Sequence, residues 1–212
     1  MSNISRRQLL TQVTSVGGGL SLQNMVIPNA VAADMNNKFN NKPLSDHDKK
    51  YLLRAIALSE KGDYPYGALL RFEDGEIIEA WNTVLSSGDP TRHAEMTLFS
   101  KIFTQDLDWI KDRGKLKTAT LYISAEPCTM CAGGIFWVGI GRVVHGASVT
   151  AVDDIYKEIY PDTAFSQLPV SVMAALHEVG VDVNGPYLND KSAEVVRRRV
   201  KSAFDDNNPF KK

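Results

Sequence analysis

The chain holds only two cysteines, Cys128 and Cys131, in the stretch "SAEPCTMCAGG" directly after Pro127. No other feature limits the possible architectures as much. Proline is tolerated in the first turn of a helix, so the sequence predicts a helix opening at Pro127 and running to about Val138. Residues i and i+3 share one face of such a turn. A helix N-terminus favours negative charge, so both thiols can ionise there and hold a metal. Three uses of the pair compete. A redox C-x-x-C motif would normally accompany a thioredoxin-like pattern, which is not seen here, and two cysteines are too few for a disulfide-stapled scaffold. A structural zinc site of four cysteines would need a second pair. A catalytic zinc needs two thiolates, one further protein ligand and water in an open fourth position.

His93 is the candidate third ligand. It lies in "DPTRHAEMTLF", where Asp89-Pro90-Thr91 signals a helix start and the apolar pattern runs to about Phe103. Of the other histidines, His47 falls on an exposed helix start, His145 in a strand and His177 in a weakly patterned segment. Alone, His93 reads as an ordinary, partly buried histidine; next to Glu95 and a proline-led cysteine pair it reads as a ligand. Zinc lowers the pKa of its bound water from ~15.7 to ~7, giving hydroxide near neutral pH. Hydrolysis by that hydroxide needs one proton taken from the attacking water and another delivered to the departing group. A single mobile acid–base group can carry both, and Glu95 is placed for it. On an ideal helix His93 and Glu95 diverge by about 200°, so both must reach the metal from the N-terminal end of the helix.

Around these motifs the chain reads as alternating strands and helices. A helix over about Asp46–Glu60 is capped by Ser45, and "YGALLRF" and "EIIEAWNTVL" form a hairpin across Glu73-Asp74-Gly75. A shorter helical piece stops at Gly114, and strands follow at "KTATLYISA" and "GRVVHGA". A short helix near Asp153–Ile159, a strand at Val181–Val183 and a last helix from Ser192 complete an α/β layered domain with parallel strands in its second half. The β-β-α-β-α-β order places the starts of the two motif-bearing helices near one another.

H-x-E followed by P-C-x-x-C resembles the signature of the zinc-dependent nucleobase deaminases. "DPTRHAEMTLF" and "EPCTMCAGGIFWVGIGRVVHGA" are similar to the cytidine deaminase-like superfamily, in its guanine deaminase and tRNA adenosine deaminase branch. With the "YGALL" and "AWNTVL" hairpin, the resemblance spans about residues 45–160. It implies a three-layer α/β/α sandwich with a five-stranded mixed sheet, a Zn2+ cofactor held by His93, Cys128 and Cys131, and commonly a homodimer. It also implies substrate contacts: Asn82 to the base or its sugar, the Ala94 backbone N–H to a base carbonyl, and Tyr66 against the ring. "DDIYKEIYP" resembles the guanine deaminase segment after the fourth strand, where Asp154 would match an acidic residue that handles substrate protons. The chain is shorter just there, and a solvated aspartate at a helix start is the alternative reading of Asp154.

The implied activity is hydrolytic deamination of a small aminated base or nucleoside, guanine deaminase-like, with release of ammonia. Cytosine, adenine, a nucleoside or a pterin-like ring are alternative substrates, and a non-catalytic zinc protein of the same fold is the second rival. The formal net charge of −1 implies no general attraction to nucleic acid or anionic membrane, and "EVVRRRVKSAF" reads as a solvated face rather than an RNA-binding helix. Residues 1–33 read as an address. Arg6-Arg7 before Leu9-Leu10, a mildly apolar stretch and the small-x-small Ala30-Val31-Ala32 resemble a bacterial twin-arginine signal cleaved near Ala32 or Ala33. The expectation is a periplasmic or secreted protein with a flexible mature start over residues 34–44 and a deaminase domain over 45–212.

Overall fold

The structure is a computed structural model, and it describes residues 42–104, 112–161 and 172–206. The expected export signal and almost all of the expected flexible start lie outside the described residues. Ser45 caps α1 (Asp46–Leu58), its hydroxyl accepting from the Asp48 N–H at 3.0 Å. A 3₁₀ turn over Ser59–Lys61 leads to β1 (Gly67–Arg71) and β2 (Ile77–Trp81), an antiparallel hairpin with Gly67 opposite Trp81. A four-residue helix, α2 (Val84–Ser87), occupies the end of the expected second strand, because Asn82 Oδ1 accepts from the Val84 N–H at 3.1 Å and turns the backbone there.

The helices α3 (Ala94–Thr104) and α4 (Arg113–Thr118) precede β3 (Thr120–Ala125), and α5 (Thr129–Val138) precedes β4 (Arg142–Ala147). Then come α6 (Val149–Ile159), α7 (Val172–Glu178), β5 (Asp182–Asn184) and α8 (Asn189–Asp206). The expected helix stop at Gly114 is corrected: α4 runs through it to Thr118, and no side chain crowds that glycine. The last turn instead leads into Ala119, whose extended backbone starts β3. The helix α7 carries no marked sequence pattern and was not expected.

The sheet order is β2-β1-β3-β4-β5, with β1 antiparallel to both neighbours and β3, β4 and β5 parallel. Alternation along β3 sorts the two faces. Leu121 and Ile123 pack with Leu98, Phe99 and Ile102 of α3, Ile135 of α5 and Leu176 of α7. Tyr122 and Val144 turn the other way, onto Leu52, Ala55 and Ile56 of α1. Each such buried Leu or Ile contributes about 1.5–3 kcal/mol relative to exposure. Val152, Ile155 and Tyr156 of α6 meet Val196 and Val200 of α8 over Ala125 and Ala147, at the C-terminal ends of β3 and β4. This is the expected three-layer α/β/α sandwich on a five-stranded mixed sheet.

Two glycines set the spacing. A Cβ on Gly67 would stand 2.3 Å from the Ala55 carbonyl oxygen, so β1 lies against α1 only because that residue has none. Gly139, at φ 84°, ends α5, its N–H donating to the Ile135 carbonyl at 3.1 Å. The arginine run of α8 is consumed inside the molecule. Arg197 pairs Glu158, Arg198 pairs Glu60, and Arg199 donates to the Gly62 carbonyl at 2.8 Å.

Candidate active site

Two helix starts meet at the C-terminal end of β3. The chain enters α3 through a tight turn in which Asp89 Oδ1 accepts from the Thr91 N–H at 2.9 Å and from its hydroxyl at 2.6 Å. The Thr83 N–H donates to the Arg92 carbonyl at 3.0 Å, which ties this approach to the end of the hairpin. His93 stands just outside the helix; its carbonyl takes the first helical bond, from the Thr97 N–H at 2.8 Å. That position resolves the divergence expected between His93 and Glu95. Only Glu95 obeys helical geometry, so both side chains turn toward the same end.

Cys128 plays the same part on α5, with extended backbone at φ −72° and ψ 171° and its carbonyl accepting from the Ala132 N–H at 2.8 Å. The helix therefore starts at Thr129 rather than Pro127, since a cap residue lies outside the helical region by construction. Cys131 follows in the first turn. The three donor atoms converge. Cys128 Sγ and Cys131 Sγ are 3.5 Å apart, and each lies 3.6 Å from His93 Nδ1. A tetrahedral zinc with bonds of about 2.3 Å to sulfur and about 2.0–2.1 Å to nitrogen demands separations of roughly 3.5–3.8 Å. The residues fit that ion in number, type and spacing, and His93, Cys128 and Cys131 are the sole such cluster among the described residues.

Without metal the same atoms share protons. A hydrogen bond from Cys131 pulls the Cys128 thiol down to about 4, and His93 adds to the effect. The reciprocal contact with Cys128 pushes the Cys131 thiol up, and Cys128 raises His93. Both thiols and the His93 Nδ1 must be free of protons when a metal enters. Glu95 lies beside them, 7 % exposed. Burial raises its carboxyl, with the nearby Cys128 adding to the rise, while Cys131 offers a hydrogen bond. Neither Lys nor Arg pairs with it among the described residues. A buried carboxyl with a raised pKa next to a metal site is suited to taking and returning protons.

His93, Glu95 and Cys128 line a cavity of about 210 Å³, smaller than the ~300 Å³ and upward usual for drug-sized ligands. Tyr64, Tyr66, Asn82, Glu126, Val149, Val152 and Tyr156 are also part of its wall. Asn82 is 1 % exposed and its carbonyl oxygen is held by the Val84 N–H, which fixes the amide orientation and leaves its NH2 for the cavity. Tyr66 also lines the cavity, its hydroxyl 3.3 Å from that of Tyr156. Ala94 is buried between His93 and Glu95, which form the wall there in its place, and its N–H is one of the first-turn donors no helical carbonyl takes. Asp154 is exposed on α6 and is not part of the wall. The α6 residues that are, Val149, Val152 and Tyr156, recur at helical spacing and point its other face inward.

Besides the apolar Val149 and Val152, the wall residues Glu126, Tyr156 and Tyr64 escaped the sequence reading. Glu126 precedes the Pro-Cys pair and Tyr156 follows the acidic pair at Asp153, so both lay within motifs whose neighbours drew attention. Tyr64 carries no pattern that could have singled it out.

Residues 45–147 match the family described as the cytidine and deoxycytidylate deaminase zinc-binding region. A probable cytosine deaminase of Schizosaccharomyces pombe is 32% identical over 157 residues, 70% of this chain and 90% of that protein. The guanine deaminase of Bacillus subtilis is 38% identical over 122 residues, 51% of this chain and 74% of that one. In fold, the solved guanine deaminase from Nitrosomonas europaea matches with a TM-score of 0.54 at 20% identity, covering 86% of this chain and 98% of that one. The chain belongs to the zinc-binding cytidine and deoxycytidylate deaminase family.

Proposed function

We propose that this protein is a hydrolytic deaminase of a small aminated nucleobase, guanine deaminase-like, that releases ammonia. The observation that carries the reading is Glu95, a buried carboxyl with no Lys or Arg partner among the described residues, set against His93, Cys128 and Cys131. A site built only to hold a metal has no use for it. His93 Nδ1 and the two thiolates would hold zinc, which when bound supplies a Lewis acid that brings the pKa of water near neutrality. Glu95 would accept the proton lost by the attacking water and deliver it to the ring nitrogen beside the reacting carbon. It would then take the proton of the hydroxyl newly added to that carbon and pass it to the amine, which leaves as ammonia while the carbon–oxygen bond becomes a carbonyl. Asn82 would fix the base through its NH2, and the Tyr66 ring would pack against it. The Ala94 N–H would meet a base carbonyl.

Support for the substrate class comes from relatives named for guanine and for cytosine deamination and from a cavity below drug-sized volume. The test is metal analysis of the purified protein followed by ammonia release from a panel of guanine, cytosine, adenine and their nucleosides. One zinc per chain with turnover of a free base is expected. Bound zinc with no ammonia from any aminated ring would leave a non-catalytic zinc protein of this fold.

A further inference from the structure

The cavity holds a second carboxyl that the proton-transfer scheme does not use. Glu126 lies on the wall between the end of β3 and the start of α6, and its backbone N–H donates to the Ala147 carbonyl at 2.8 Å. One side-chain oxygen, Oε2, accepts from the Val149 N–H at 3.0 Å. Its other oxygen makes no hydrogen bond or ion pair among the described residues, and it is not sealed in the interior as the unpartnered buried atoms are. It is therefore held in one orientation by the backbone of α6 and open on the side of the cavity. The lining includes no Lys or Arg. An acceptor that lines the cavity with no partner among the described residues can take a ligand N–H, and a site built around such a bond discriminates strongly against ligands lacking the donor.

We infer that Glu126 is a specificity-determining residue that accepts a hydrogen bond from a ring N–H of the substrate, so that the site takes uncharged bases bearing such a donor and rejects phosphorylated nucleotides. The inference rests on the deaminase reading for its substrate class. The NH2 of Asn82 and the open oxygen of Glu126 then form a donor and an acceptor on one cavity, a pattern matched by a heterocycle that carries both a carbonyl or ring-nitrogen acceptor and an N–H. A phosphate would meet Glu95 and Glu126 with no Lys or Arg beside them among the described lining residues.

The test compares the zinc-loaded wild type with Glu126→Gln. Gln keeps an oxygen for the Val149 N–H, so the local fold and the α6 contact survive, but it turns an NH2 toward the substrate where the acceptor stood. Two readouts are taken: KM and kcat for ammonia release from guanine and cytosine, and equilibrium binding of guanine, 9-methylguanine, cytosine, 1-methylcytosine and guanosine monophosphate by calorimetry. The binding is compared with Glu126 kept (wild type at that position) or replaced, in both cases with Glu95→Gln added so that the bases are not consumed. For at least one base pair the wild type should bind the parent at least about 10-fold more tightly than the N-methylated form, and Glu126→Gln should lose that preference while KM rises about 10- to 100-fold and kcat stays within a few-fold. Guanosine monophosphate should bind the wild type more weakly than guanine by a similar factor. Unchanged KM and unchanged discrimination in a variant with native zinc content and melting temperature overturn the inference, as does equal affinity of the wild type for the nucleotide. If the wild type binds these rings but releases no ammonia, the deaminase reading fails on its own, and the binding comparison still decides the role of Glu126.

Discussion

The molecule buries two carboxyls at similar depth on opposite faces of its sheet and treats them in opposite ways. Asp48, on α1, is 8 % exposed; Glu95, on α3, is 7 % exposed. Asp48 is saturated. It accepts from the Tyr122 hydroxyl at 2.8 Å, from Arg142 at 2.8 and 3.0 Å and from the Ser45 hydroxyl at 2.9 Å. Burial alone would raise its carboxyl, but the Arg142 guanidinium and the Tyr122 and Ser45 hydroxyls hold it well below the ordinary range. Glu95 receives no such set, so burial prevails and its carboxyl rises. The same chemical group, in residues of similar overall exposure, is fixed as an anion where it ties α1 to β3 and β4. Where the helix starts meet, it is left able to change state.

Substitutions at the two positions should separate these roles. The largest effect is expected at Glu95. Glu95→Gln should lower kcat by about 10²–10⁴-fold, measured as ammonia release, with zinc content and melting temperature near wild type. Next is Asp48→Asn, which leaves Arg142 and the Tyr122 hydroxyl facing a neutral amide. Because Arg142 is 29% exposed, the loss should fall somewhat below that of a fully buried pair, about 2–4 kcal/mol by denaturant unfolding, with kcat within a few-fold of wild type. The acid limb sharpens the contrast. The Asp48 carboxyl is depressed in the folded state, so its contribution is fully present above its unfolded pKa of ~3.9 and is lost as pH falls from there toward the folded value. The stability gap between wild type and Asp48→Asn should therefore be constant near neutrality and shrink below about pH 4. The smallest effect is expected at Arg198→Ala on α8, whose ion pair with Glu60 is open to solvent on both sides, at 55% and 39% exposure. Its melting curve should change by at most about 1 kcal/mol, and less in high salt.

The two regions also differ in how far they could be read from the sequence. His93, Glu95, Cys128 and Cys131 were legible because metal chemistry demands those residue types at short spacing, and strand–helix alternation was enough to bring two helix starts together. The Asp48–Tyr122–Arg142 network left no local signal, since its members lie on α1, β3 and β4 and meet only through the packed sheet. The far wall of the cavity was partly legible for the same reason. Asn82 and Tyr66 sit at the ends of the hairpin, where the resemblance placed them on the substrate, while Glu126, Tyr64 and Tyr156 become neighbours only when α6 closes over β3. On α6 the exposed Asp154 and the cavity-lining Tyr156 stand on different faces, a distinction that the resemblance alone does not display.

The division of labour is tested most directly by measuring kcat and melting temperature on the same zinc-loaded preparations of Glu95→Gln and Asp48→Asn. The account predicts opposite signatures, turnover lost with the fold kept in the first and the fold weakened with turnover kept in the second. A Glu95→Gln enzyme that deaminates at the wild-type rate, with zinc bound and the fold intact, would contradict it.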